Sequence, residues 1–292
     1  MARHLLPAFV LAAALGCAPA PPEGQGPPLW SISDADSTVW LFGSVHVLRP
    51  NLVWRSARLD AALAEAEIVV FEADVGAEAA TAYQALAAQR GAYPPGQTLP
   101  AALNADQRAA LARAAQKVGL DARQFETVRP WLAALQLSAA AYARQGAVQS
   151  AGVETVLAAR ARADGARIAH LETVEQQVGF LADLSERDQI DFLLETIEAV
   201  NAGAAAATAL DEAWARGDVR RLARGLDAEF DAMPPALRAA VLTDRNARWT
   251  DEIIAMLAGE DDVLVAVGAA HLVGEENVID MLRARGLAVE GP

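Results

Sequence analysis

The chain has 292 residues and a net charge of −14, with 53% hydrophobic and 21% charged residues. That is enough apolar material for a large globular core, which excludes an intrinsically disordered chain. The acidic balance repels phosphates and excludes nucleic acid as a partner.

Arg3 and His4 precede an apolar run from Leu5 to Leu15. The run is shorter than the roughly 20 residues that span a bilayer, and it reads as the apolar region of a signal peptide. It ends in Ala14-Leu15-Gly16-Cys17, which resembles a bacterial lipobox with Ala14 where a larger apolar residue is usual. Residues 1–17 are therefore an export signal, and Cys17 is the expected lipidation site. Residues 18–28 are rich in Pro and Gly and read as a tether. The expected location is the bacterial periplasm or outer membrane, with contact to the membrane only through a lipid anchor. A plain secreted protein is the alternative. Cys17 is also the single cysteine of the chain. It leaves no internal disulfide and no thiolate metal site.

The folded domain is read over residues 29–292. Leu29–Ser33 and Thr38–Phe42 flank the turn signal Asp34-Ala35-Asp36-Ser37, so they predict a hairpin. Leu59, Leu63 and Ala66 recur at helical spacing. Ile68–Phe71 is a β-branched run closing on Glu72. A mostly helical insertion is expected over about 77–149. It includes a helix over Ala105–Val118 with Asn104 as N-cap and another that opens at Pro130 and runs to about Tyr142. Helices over Val153–Ala163, Val174–Leu184 and Gln189–Ala202 follow, with a short strand at Arg167–Leu171. The stretch from Asp211 to about Leu257 predicts helices broken at Gly217-Asp218 and Met233-Pro234-Pro235. Val263–Val267 is wholly apolar and predicts a buried strand, and Leu287–Glu290 a last one. The class is α/β: a central mixed sheet flanked by helices.

Two segments share one form. Thr38–Phe42 runs into Gly43-Ser44-Val45-His46, and Val263–Val267 runs into Gly268-Ala269-Ala270-His271. Gly43 and Gly268 at strand ends permit a sharp turn. Each His would then stand above the carboxyl edge of the sheet, where open α/β sheets bind ligands. These two histidines are half of the four in the chain, which are His4, His46, His170 and His271. Glu72 reaches the same edge if its strand runs parallel. Two imidazoles and a carboxylate form a common set for zinc, manganese or cobalt with open positions for water. Glu72 is either a third ligand or the general base. His170 reads as structural.

These motifs, with Leu171-Glu172-Thr173, Glu175-Gln176, Arg245-Asn246, Arg129-Pro130-Trp131 and Gly152-Val153-Glu154, resemble the TraB/GumN family in content and order. That family includes bacterial pheromone-shutdown proteins and the animal Tiki proteases. It more often has Asp at the position of Glu154. The resemblance spans about Leu29 to Glu290. It implies a metal-dependent, protease-like hydrolase acting outside the cytoplasm on a peptide or protein. By that match His46, Glu72 and His271 are the metal site, and Arg245 and Asn246 are pocket residues with Glu72 at the chemistry. Glu172, Gly43 and Gly268 are supporting residues, and Glu172 is also a candidate ligand or base. The competing function is a non-catalytic envelope protein that binds a small peptide or a haem-like ligand.

Overall fold

Strand β1, Leu29–Ser33, turns back through Asp34–Ser37 into β2, Thr38–Ser44, as an antiparallel pair. The computed structural model describes residues 26–203 and 205–292. The export signal, Cys17 and the start of the tether lie outside the described residues. No helix among the described residues is long and apolar enough to cross a membrane.

After β2 the helix Ala57–Glu65 buries Leu59 and Leu63 and leads to β3, Ile68–Phe71. Strand β4 is Arg167–His170 and β5 is Val263–Gly268. They form one mixed sheet in the order β1-β2-β5-β3-β4. Strands β2, β5, β3 and β4 run parallel to one another. Strand β5 fills the gap between β2 and β3, and its first five residues are buried. A strand with partners on both sides and helices on both faces reads as an unbroken apolar run, and β5 is Val-Leu-Val-Ala-Val before its glycine. The class is α/β, as its alternating elements predict.

The four parallel strands share one carboxyl edge, and pairing continues past their ends. Glu172 N–H donates to the carbonyl of Glu72 at 2.8 Å. Residues 44–46, 72, 172 and 268–271 therefore leave the sheet together.

Residues 77–149 hold the helices Ala77–Arg90, Leu99–Ala102, Ala105–Val118 and Pro130–Arg144. Asn104 and Gln107 form a capping box that fixes the start of the third. Their apolar cluster includes Leu111, Phe125 and Leu137 and is completed by Leu193 and Ile197 of the helix Glu186–Ala202. That helix begins three residues before the expected Gln189, because the Ser185 side chain accepts from Asp188 N–H.

Two expectations are corrected. Leu287–Glu290 is not a strand: it pairs with β1 only through a single bridge between Ser31 and Glu290. The tail leaves the left-handed cap Gly286 and reaches the sheet only at its last residues. The segment before Leu257 is also not plain α-helix. Residues Ala239–Thr243 form one wide π turn before the helix Asp244–Leu257.

The helix Ala205–Ala215 brings Trp214 under the end of β2. Its ring packs 5.8 Å from Trp54, and its Nε1–H donates to the Gly43 carbonyl at 2.7 Å. Trp214→Phe keeps most of the packing and leaves that carbonyl unpaired. It should cost about 1–3 kcal/mol in urea unfolding. No change in the unfolding midpoint would show that the bond does not hold the turn.

Candidate functional site

Glu72 and Glu172 end adjacent parallel strands, and both are buried, 6% and 5% exposed. Two buried carboxylates side by side need a cation. Arg245 supplies it from the first turn of the helix Asp244–Leu257. Its Nη2 donates to Glu72 Oε2 at 2.7 Å and to Glu172 Oε2 at 2.8 Å, and its Nε donates to Glu172 Oε1 at 2.8 Å. Glu172 also accepts from Gln177 Nε2 at 2.6 Å. The guanidinium lies 4.6 Å from the Trp249 ring and 5.0 Å from the Phe180 ring. Its Nη1 reaches the Val241 carbonyl within the π turn at 3.1 Å. Wide π turns recur at functional sites, and this one gives Arg245 an extra acceptor. Arg245 is thus held from every side, and Glu172 acts as its anchor.

His271 is buried beside this cluster and packs on Trp249, with ring centroids 4.4 Å apart. Its Nδ1 stands 2.6 Å from Asn246 Oδ1. The orientation of the Asn246 amide is fixed, because its Nδ2 donates to the Glu276 carbonyl at 2.8 Å. Glu276 is, among the described residues, the one non-glycine residue with positive φ, at 53°. An amide oxygen can only accept, so the His271 hydrogen is on Nδ1. Nε2 then carries a lone pair. It stands 3.2 Å from Arg245 Nη1 and 3.7 Å from Glu72 Oε1. Burial pushes the His271 pKa down to about 3, against the pull of Glu72. The ring is neutral.

His46 follows β2 on the open side of the edge, with its side chain 65% exposed. Its Nδ1 stands 2.8 Å from Glu154 Oε1. Glu154 is buried on the helix Val153–Asp164 and also accepts from the Ser44 hydroxyl. The carboxylate raises the His46 pKa and places a hydrogen on Nδ1. In the neutral ring Nε2 is the free nitrogen. Gly152 makes this contact possible: a Cβ there would lie 2.0 Å from the His46 carbonyl.

Glu72 is where these groups meet. Its Oε1 accepts from Gly268 N–H at 2.6 Å. Burial opposes its charge, but the neighbouring His271, Arg245 and His46, with the Gly268 N–H, outweigh burial and hold its pKa down, to about 2. Gly268 has φ −50° and ψ 134°, a conformation open to any residue. Its role is therefore space rather than backbone freedom, which changes the reason expected for it. A Cβ at Gly268 would lie 3.1 Å from Glu72 Oε1, 3.5 Å from His271 Cδ2 and 3.9 Å from His46 Nε2. Gly43 is similar, since a Cβ there would lie 3.1 Å from Ala269 Cα.

The structure thus brings His46, Glu72, His271, Arg245, Asn246, Glu172 and Gly268 to one edge. His170 points elsewhere, with Nε2 3.8 Å from Asp74. The direct bonds from Glu154 to His46 and Ser44, and the Trp214 bond to Gly43, were not foreseen. Ser44 inside the first Gly-x-x-His was the available signal for a buried polar partner. Among the described residues no group of three or more His, Cys, Asp or Glu side chains is gathered closely enough to hold a metal ion as it stands.

A profile of the TraB/PrgY/gumN family matches residues 28–291. The chain belongs to this family. It is also 26% identical over 243 residues to the Uncharacterized protein YbaP of Escherichia coli (strain K12), covering 83% of this chain and 87% of that one. The Shigella flexneri protein of the same name matches to the same extent. No solved structure matches. The family match covers the whole strand-edge site and both Gly-x-x-His turns.

Glu72 ties stability to acid. A carboxyl held below its ordinary value of 4.5 stabilises the fold above that pH and loses the effect as pH falls toward about 2. Urea unfolding should therefore weaken as pH falls through that window. Arg245→Met takes the shared cation from two buried carboxylates, leaving Glu172 only the 3.4 Å ion pair with Arg248, and should cost about 3–5 kcal/mol at neutral pH. An Arg245→Met chain as stable as the parent would contradict the arrangement.

Proposed function

We propose that this chain is a metal-dependent hydrolase of peptide or similar amide bonds, centred on His46, Glu72 and His271. One observation carries the reading. Both imidazoles have Nδ1 bound to a buried side-chain oxygen; His46 Nε2 faces the notch at Gly268, and His271 Nε2 stands 3.7 Å from Glu72 Oε1 with Arg245 Nη1 at 3.2 Å. Fixing one ring nitrogen with a carboxylate or amide is how proteins orient a metal-ligating His. The spacing also fits. Two ligand atoms on one tetrahedral ion stand roughly 3.4 Å apart, and Glu72 Oε1 and His271 Nε2 stand 3.7 Å apart.

His46 Nε2, His271 Nε2 and Glu72 would hold the ion, which is zinc, manganese or cobalt by donor type. When bound, such an ion supplies a water with its pKa lowered to about 7. The chain's own residues do the rest. Glu72 already shares its oxygens with Gly268 N–H and Arg245 and keeps its proton off. That suits a fixed ligand better than a base that must pick up a proton. Arg245 lines the same cavity and holds Glu72 in place. Asn246 fixes the His271 tautomer, and Glu154 fixes that of His46. His46 would have to give up its Nε2 proton, which Glu154 favours, before it could hold an ion. By this reading the chain acts after export, with Cys17 as its anchor.

Two measurements test this. Metal content after reconstitution with zinc, manganese and cobalt in turn should approach one ion per chain with one of them. It should be lost in His46→Ala and in His271→Ala. Absence of metal in the parent under all three conditions would overturn the reading. Gly268→Ala should fold normally and lose the metal, because its methyl group fills the notch. Glu154→Gln should keep the fold and weaken metal affinity by about 10–100-fold. Unchanged affinity in both variants would place the ion elsewhere.

A further inference from the structure

The centre is not at the bottom of a blind pocket. It lies where two cavities meet, and His46 and Glu72 line both. On one side a cavity of about 420 Å³ carries the polar side chains of Tyr83, Gln84, Gln149 and Gln177 among Val75, Ala79, Ala80 and Val174. On the other side lies a cavity of about 330 Å³. Part of its wall is apolar: Leu210 and Trp214 come from the helix Ala205–Ala215, and Leu222 and Leu226 from the helix Val219–Ala232. This second cavity shares Tyr142, Ala207 and Glu229 with a third, of about 370 Å³. The three make one trough that passes through the centre. A small compact ligand needs an enclosed pocket, whereas a trough open past both sides of the chemistry suits a chain laid across it.

Charge narrows the occupant. Asp74 and Glu154 line the polar arm, and Asp211 and Glu229 line the apolar arm. Among the described residues lining the two cavities that meet at the centre, Arg245 is the single Lys or Arg, and its charge is committed to Glu72 and Glu172; Lys117 and Arg144 line the third cavity. The whole chain carries −14, so the two cavities beside the centre repel an acidic segment and draw in a basic one.

We propose that the trough binds an extended polypeptide segment, with an apolar side chain in the Leu210–Trp214–Leu222–Leu226 pocket beside the centre and a neighbouring basic side chain against Asp211 and Glu229. The turnover of such a segment rests on the hydrolase reading, but its binding does not. The apolar pocket supplies affinity by burying a side chain next to the bond that faces His46 and His271. The carboxylates at its rim supply discrimination against acidic sequences.

Fluorescence polarisation on the full chain, with chelator present to prevent turnover, separates the two ideas. The probes are labelled unstructured peptides that differ only in a central Leu-Arg, Leu-Glu, Ser-Arg or Ser-Ser pair. The Leu-Arg peptide should bind roughly tenfold or more tightly than each of the others. Leu226→Trp or Leu210→Trp, whichever melts like the parent, should abolish the preference for Leu. Asp211→Asn with Glu229→Gln should abolish the preference for Arg. Equal binding of all four peptides would overturn the proposal, and so would an unchanged preference in a folded pocket variant. The same peptides are then incubated with metal-loaded chain and the products read by mass spectrometry. Selective binding without cleavage would sink the hydrolase reading and leave the trough standing. Cleavage with no preference at the two positions would do the reverse.

Discussion

Four neighbouring strands end on one edge because they run parallel, and β5 is the strand that makes this possible. It enters last, between β2 and β3, and it aligns Gly268 with Ser44 in the register of β2. The same strand pairs its Ala266 with Phe71, the residue before Glu72. Parallel strands place their polar chain ends together, and here that concentrates carboxylates where the sheet interior begins. Glu72 and Glu172 would repel each other there without Arg245. The buried guanidinium is thus a consequence of the topology before it is a feature of any chemistry. Its supports, from the π turn to Phe180 and Trp249, follow from the need to keep a buried charge still.

The two histidines resemble each other in sequence and differ in environment. His271 is enclosed, stacked on Trp249 and tied to a neutral amide, so it stays uncharged. His46 faces the cavity and is tied to a carboxylate, which favours its protonated form. Both arrangements put a hydrogen on Nδ1; His46 Nε2 then faces the Gly268 notch, and His271 Nε2 faces Glu72 and Arg245. A repeated Gly-x-x-His turn therefore yields one rigid nitrogen and one accessible nitrogen. A centre that must hold an ion and admit a substrate needs that asymmetry.

Much of this edge was legible in the sequence. The apolar run of Val263–Val267 identified the central strand, and the shared Gly-x-x-His ending pointed to His46 and His271. Glu72 followed from the run that it closes. The capping residue Asn104 marked its helix correctly, because capping is local chemistry. Contacts that cross the fold were not legible. Nothing near Glu154 in the chain shows that it meets His46, and nothing near Glu172 shows that it anchors Arg245. The π turn before Asp244 carries no sequence punctuation that separates it from ordinary helix. Leu287–Glu290 has strand composition but only one paired residue, since a strand needs a partner along its length. The glycines were found for an incomplete reason. Gly268 is small to leave room for Glu72 and the imidazoles rather than to permit an unusual backbone angle.

The central claim is that the two Nε2 atoms and Glu72 form one ion site. Anomalous diffraction from crystals grown with zinc, recorded on both sides of the metal absorption edge, tests it most directly. The account predicts one strong anomalous peak in the notch at Gly268, bonded to His46, His271 and Glu72. A crystal with no peak there, or with zinc bound only elsewhere on the chain, would contradict it.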